Sequence, residues 1–103
     1  MPKSETDTLL IMIAPTSLKE DLVDQLMEMP YTSGFSLSKI QGFSSEHSHY
    51  NINEQVAGHQ DFYRFEIAHI SADSQAVLAH LREACPENTI RYWMVPIQSS
   101  GFV

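Results

Sequence analysis

Short apolar segments alternate with polar stretches along the chain, and their periodicity predicts strands separated by helices. The first segment, 8–14, has apolar side chains at both alternating positions, which is typical of a strand covered on both faces. Pro15 ends this strand, and Ser17 with Glu20 predicts a capping box at the start of a helix that Pro30 stops. The apolar residues at helical spacing are Leu18, Leu22, Val23, Leu26 and Met27.

A second strand is predicted over 35–43, with a bulge at Lys39 and Ile40, because the alternation slips there. A third strand covers 62–70, and its residues alternate between two faces. The next helical pattern runs from about residue 72 to Cys85. These patterns place two strands and one helix in the middle and second half of the chain.

The last strand is predicted over 90–97, and Pro96 favours an edge position because proline has no N–H to donate to a neighbouring strand. The resulting order predicts an α+β, ferredoxin-like βαββαβ fold: a four-stranded antiparallel sheet with two helices on one face. We assign residues 8–98 to a single domain, and 1–7 and 99–103 to flexible ends.

Large apolar side chains at both alternating positions of the first and last strands exceed what two helices can cover on one face. The surplus apolar face predicts an oligomer interface or a ligand pocket, and self-association is the favoured interpretation. The candidate interface residues are Tyr92, Trp93 and Met94.

The segment 44–60 is rich in Ser, His, Asn and Gly and predicts a long loop, and long loops in compact domains are usually functional or disordered. Imidazole suits zinc, copper and nickel, and a His-x-His pair in an extended segment directs both rings to one side. A divalent metal ion is therefore one candidate ligand of this loop, and a solvated or partner-contacting loop is the alternative. The candidate metal ligands are Glu46, His47, His49 and His59.

The composition is that of an ordinary globular domain: 103 residues, 43% hydrophobic and 18% charged. A net charge of −7 argues against a nucleic-acid or anionic-membrane partner, because both need a basic surface. The single cysteine, Cys85, excludes an internal disulfide. No apolar run is long enough for a membrane span or a signal peptide, so we expect a cytoplasmic protein.

Few residues form a pattern that could support catalysis. His69 and His80 are interpreted as structural residues, and Arg64 with Glu66 as a surface or intersubunit ion pair. Cys85 lies in an apolar pattern and is interpreted as a small buried side chain. We therefore expect no enzyme activity.

The chain resembles the PII signalling family and its PII-like relatives over almost its whole length. The resemblance rests on 10–15 before the first helix, on Gly34-Phe35 and 40–43 ahead of the long loop, and on 94–97. More narrowly, 54–58 and 90–96 resemble a short, uncharacterised PII-like branch.

The resemblance implies a homotrimer whose sheets pack around a central axis, and a T-loop over 44–60 that contacts a partner protein. It implies ligand or loop roles for Gly42, Phe43 and Gly58, and nucleotide binding in clefts between subunits. PII proteins hold phosphates with a glycine-rich, basic turn and with arginines of the tail. Here that turn is 86–89, with no glycine or cation, and the tail 98–103 has no arginine, so the usual mode of ATP binding is not expected.

We therefore predict a trimeric PII-like regulatory protein that senses a small ligand and contacts a partner through the 44–60 loop. The alternative is a CutA-like protein that binds divalent metals for metal tolerance through the loop histidines. A third hypothesis is a small, dimeric ferredoxin-like enzyme with His69 in a pocket on the bare face of the sheet.

Overall fold

The structure is a computed structural model that describes residues 6–32, 34–43, 60–85 and 89–103. Two short 3-10 turns, Thr16–Leu18 and Ser71–Asp73, each lead directly into a helix. The strands and helices are β1 (Thr8–Pro15), α1 (Lys19–Glu28), β2 (Ser36–Gly42), β3 (Gln60–His69), α2 (Ser74–Arg82) and β4 (Arg91–Pro96).

The strands form one sheet in the order β2-β3-β1-β4, and every neighbouring pair is antiparallel. This order confirms the predicted ferredoxin-like α+β fold. β1 lies in the interior of the sheet between β3 and β4, and the helices cover only one of its two apolar faces. β4 is an edge strand, as Pro96 predicted.

Both helices pack on the face of the sheet that carries Leu10 and Met12. The register pairs Leu10 with Ile67 and Met12 with Phe65, so these side chains meet on the same face. Burying a side chain of this size contributes about 1.5–3 kcal/mol, and this cluster therefore supplies the main driving force for folding. The helix residues buried in the cluster are Leu22, Leu26, Val77, Leu78 and Leu81.

Two details of the predicted helices are wrong. Ser17 lies inside the first 3-10 turn, and α1 begins at Lys19 with no side-chain hydrogen bond at its cap, so the capping box with Glu20 does not form. α2 ends at Arg82 and not at Cys85, which lies beyond the helix. Within the described ranges, neither helix is long and apolar enough to cross a membrane.

The predicted bulge in the second strand is also wrong, because β2 pairs with β3 in continuous register from Ser36 to Gly42. Lys39 lies opposite Tyr63 on the helix side, and Ile40 lies opposite Phe62 on the other side. The slip in alternation therefore reflects an edge strand in which a lysine reaches solvent, where its Nζ lies 3.8 Å from Asp61 Oδ2.

A polar network around Asp7 joins the chain ends to the sheet. The backbone N–H of Asp7 donates to His69 O at 3.1 Å, and Asp7 O accepts from the N–H of Ile97 at 2.8 Å. The Asp7 carboxylate accepts from the backbone N–H of Ser71 at 2.7 Å and from the hydroxyls of Thr8 and Ser71. The hydrogen bond from the Ser71 N–H, assisted by that of Thr8, holds the pKa of the Asp7 carboxyl below its ordinary value.

We expect Asp7→Asn to destabilise the protein at neutral pH and to matter less in acid. A depressed pKa in the folded state stabilises the fold above the ordinary value of 3.8. This contribution is lost as the pH falls below that value and the carboxylate takes up a proton. Urea unfolding from pH 7 to pH 3 measures the difference between wild type and Asp7→Asn, which should shrink with falling pH. Asp24→Asn, on the exposed side of α1, is the control. An undiminished difference in acid would contradict the role of the charge.

Candidate functional site

The sheet face opposite the helices is the candidate functional surface, and we call it the open face. Successive side chains of a strand point to opposite faces of the sheet. Residues next in sequence to core residues such as Leu10 and Phe65 therefore point to the open face. The apolar members are Leu9, Ile11, Ile13, Ile40, Phe62, Ala68, Trp93 and Val95. The polar members are Ser36, Ser38, Arg64, Glu66 and Arg91.

The open face has an apolar half and a polar half. Ile11 is flanked by Trp93 on β4 and by Glu66 on β3, and only 6% of its surface is exposed. Ile13 is flanked by Arg91 and Arg64, and serines of β2 extend the polar half to the sheet edge. The β1–β4 side is therefore mainly apolar, whereas the β2–β3 side combines hydroxyl and charged groups with Ile40, Phe62 and Ala68.

The charged groups on the open face make contacts within the chain. Arg64 Nη2 lies 2.9 Å from Glu66 Oε2, which confirms the predicted ion pair. Arg64 Nε is shielded from solvent and has no hydrogen-bond partner among the described residues. Arg91 lies over the ring of Trp93, with its Cζ 5.6 Å from the ring centroid, in a cation–π contact.

The candidate interface residues on β4 point in two directions. Trp93 is 41% exposed and lies on the open face beside Ile11. Tyr92 is 43% exposed but pairs with Met12, on the helix side. Met94 is half-buried and packs against the core. The structure therefore brings only Trp93 of these residues onto the open face, and their role in an interface stays a prediction.

The loop residues proposed for ligand or metal binding fall largely outside the described ranges. Gly42 ends β2, and Phe43 follows it with 70% of its surface exposed. Gly58 lies outside the described residues, as do all four candidate metal ligands, Glu46, His47, His49 and His59. Metal binding by these four residues therefore stays a prediction. Among the residues that are described, no group of three or more His, Cys, Asp and Glu could hold a metal ion.

His69 has the structural role that the sequence predicts. It is fully buried, with Nε2 2.8 Å from Ser74 Oγ and Nδ1 3.3 Å from Ile67 O, and so connects β3 to the start of α2. Its ring lies on the helix side of the sheet, not in a pocket on the open face. His80 differs, because its Nε2 is shielded and lacks a partner in the described chain.

Cys85 is half-buried and not fully buried. Its thiol donates to Leu81 O at 3.3 Å, and desolvation raises the pKa of the thiol. Because the thiolate is the reactive form, this environment disfavours a nucleophilic role and agrees with the sequence interpretation.

The base of the loop depends on a close contact that sequence reasoning missed. A Cβ built on Gly42 would lie 2.5 Å from Cε2 and 2.8 Å from Cδ2 of Phe62, so the aromatic ring packs directly over the glycine. Both residues lie on the open face, at the end of the sheet where segment 44–59 begins and ends. A Gly-Phe pair at a strand end was the only sequence signal for this position.

These features define an α+β domain of ferredoxin-like topology whose helices leave one sheet face, part apolar and part charged, uncovered by either helix. The sequence profile of a family described as "Protein of unknown function (DUF3240)" matches residues 4–103, and the chain belongs to this family. The chain is also similar to a solved structure, the crystal structure of a DUF3240 family protein from Shewanella baltica OS155 at 2.40 Å resolution.

The two chains are 39% identical in sequence, and the TM-score is 0.78. The match covers 97% of this chain and 99% of that one. The comparison with curated proteins finds no match. A relationship to the wider PII family stays a prediction.

We expect Gly42→Ala to destabilise the protein by about 1–3 kcal/mol, because the added methyl group overlaps the Phe62 ring. Gly34→Ala is the matched control, since a Cβ at Gly34 meets nothing within 4 Å, and its effect should stay within about 0.5 kcal/mol. Urea unfolding measures both. In a Phe62→Ala background the cost of Gly42→Ala should disappear, and an unchanged cost there would contradict the steric explanation.

Proposed function

We propose that the protein is a cytoplasmic, self-associating regulatory protein of PII-like organisation, in which three copies pack through their open faces. The observation that carries the proposal is that β1 and β4 present half-buried Leu9 and Ile13 and exposed Trp93 on the side that the helices leave uncovered, around a buried Ile11. A surface of this character on a soluble domain is typical of a protein interface. The number three comes from the PII resemblance, and the open face supports the association itself.

Regulation in this proposal acts through the 44–60 loop. The loop leaves the sheet directly after Gly42 and returns at Gln60, so both of its ends are anchored to paired residues at one end of the sheet. A small ligand bound near this end would favour one loop conformation and change the affinity for a partner protein. A shift of this kind needs the ligand to bind one conformation more tightly than the other.

The ligand of this proposal is not held through a polyphosphate. Two of the cations near the loop are already engaged, with Lys39 Nζ 3.8 Å from Asp61 and Arg64 Nη2 2.9 Å from Glu66. The segment 98–103 brings no further cation. A phosphate chain needs several N–H donors and positive charges, and the carboxylates beside these two cations would compete with it and repel it.

We expect wild-type protein to sediment as a trimer, at three times the 11.7 kDa chain mass, and Trp93→Glu to shift it to a monomer. A carboxylate at this position would be desolvated in the interface. Tyr92→Glu is the matched control, because Tyr92 is next to Trp93 in sequence and about equally exposed, but its side chain lies on the helix side. Sedimentation equilibrium measures all three proteins. A monomeric wild type, or equal behaviour of the two variants, would contradict packing through the open face.

We expect millimolar ATP with Mg²⁺ to leave the melting temperature unchanged. A site with a Kd near ten micromolar would stabilise the fold by about 2.7 kcal/mol at a ligand concentration about a hundred times the Kd. That stabilisation would raise the melting temperature of a chain this size by roughly ten degrees or more. Differential scanning fluorimetry detects such a shift easily. A rise of several degrees would show that the engaged cations can be released for phosphate.

A further inference from the structure

The charged side chains are distributed unevenly between the two sides of the sheet. On the helix side, α1 carries one cation, Lys19, and four carboxylates, and Asp73 and Glu83 flank α2. The second helix adds one cation, Arg82, near its end. The open face carries a single carboxylate, Glu66, and two guanidinium groups. Two copies that approach through their helices bring mainly carboxylates together, whereas each open face presents a carboxylate and guanidinium groups that can pair with those of a second copy. The carboxylates of α1 are Glu20, Asp21, Asp24 and Glu28.

The register places the charges of the open face close to its apolar half. Glu66 adjoins Ile11, and both arginines adjoin Ile13, with Arg64 on one side and Arg91 on the other. Any second sheet that covers Ile11 and Ile13 therefore also partly desolvates these three charged groups. Desolvated charges are costly without partners, so the covering surface has to supply opposite charge.

The Arg64–Glu66 pair can bind further groups while it stays intact. The two side chains remain 42% and 39% exposed in the single copy. A guanidinium has five N–H donors and a carboxylate has about four acceptor positions, so one contact at 2.9 Å leaves capacity on both groups. The pair also borders an open depression along β2, lined by Ser36, Ser38 and Ile40, that leaves room for an approaching side chain.

We propose that Glu66 of one copy accepts hydrogen bonds from Arg64 of a second copy. This inference rests on the self-association proposed above and names the groups that select the partner. The apolar residues supply most of the contact area, while the charges fix which surfaces meet and in which register. Arg64 and Glu66 are neighbours on the same face, so two open faces can present opposite charges to each other, and we commit this surface to a second copy of the chain.

The test uses two charge reversals whose effects should partly offset each other when the variants are mixed. Arg64→Glu gives an open face with two adjacent carboxylates, and Glu66→Arg gives one with two adjacent guanidinium groups. Each variant alone should associate at least about tenfold more weakly than wild type, because like charges then face each other. An equimolar mixture should associate more strongly than either variant alone in sedimentation equilibrium, and native mass spectrometry should show both chains in one particle.

Matched controls come from the other ion pair on the same two strands. Lys39→Glu and Asp61→Lys reverse charges on the helix side of β2 and β3, and each should assemble like wild type. The exchanged double variant, Arg64→Glu with Glu66→Arg, keeps a self-complementary face and should assemble alone. This variant keeps the inference testable if a single reversal fails to fold, as circular dichroism would reveal.

The outcomes separate this inference from the proposed function. An oligomeric wild type that Trp93→Glu dissociates, but whose mixed reversals stay monomeric, would overturn only the charge recognition. Single reversals that assemble like wild type, or a folded but monomeric double variant, would also overturn it. A wild type that stays monomeric at every concentration would overturn both proposals and would leave an acidic partner protein as the occupant of the open face.

Discussion

Two helices cover only one face of a four-stranded sheet, while the central strand β1 is apolar on both. This mismatch governs the rest of the structure. On the helix side, Leu10 and Met12 join Phe65 and Ile67 in a closed core. On the open face, Ile11 and Ile13 lie between Trp93 and Arg91 of β4 and Glu66 and Arg64 of β3. The second apolar face of β1 can therefore be buried only by groups outside the two-helix layer.

The two ends of the sheet are held by different physics. At one end the Asp7 carboxylate and backbone join β3, β4 and the turn before α2 through hydrogen bonds. At the other end Gly42 allows the Phe62 ring to pack over the strand from which the long loop leaves. The first end is a polar, charge-dependent junction and the second is a steric one. The loop thus starts from a rigid base, which suits a segment proposed to change conformation on ligand binding.

Membership in the DUF3240 family fixes what kind of domain this is, and the surface features suggest how it could work. Acidic residues concentrate on the helices, while the open face combines apolar side chains with Arg64, Glu66 and Arg91. In the proposed assembly through open faces, the acidic helix layers point outward. The proposed regulatory role depends on this assembly, since sites between subunits exist only when the subunits meet.

The sequence by itself determined the order of strands and helices, the edge position of β4 and the two-faced character of β1, because periodicity and proline chemistry are local properties. It also identified the Arg64–Glu66 pair, which depends only on a spacing of two along one strand. Only the tertiary structure decided which face of each strand meets the helices. Alternation along a sequence shows that two sets of side chains point to opposite faces, but the strand register is needed to tell which set faces the helices. For the same reason, only the structure placed Trp93 and Tyr92 on opposite faces of the sheet. It also replaced the predicted bulge with continuous pairing and placed the Phe62 ring over Gly42.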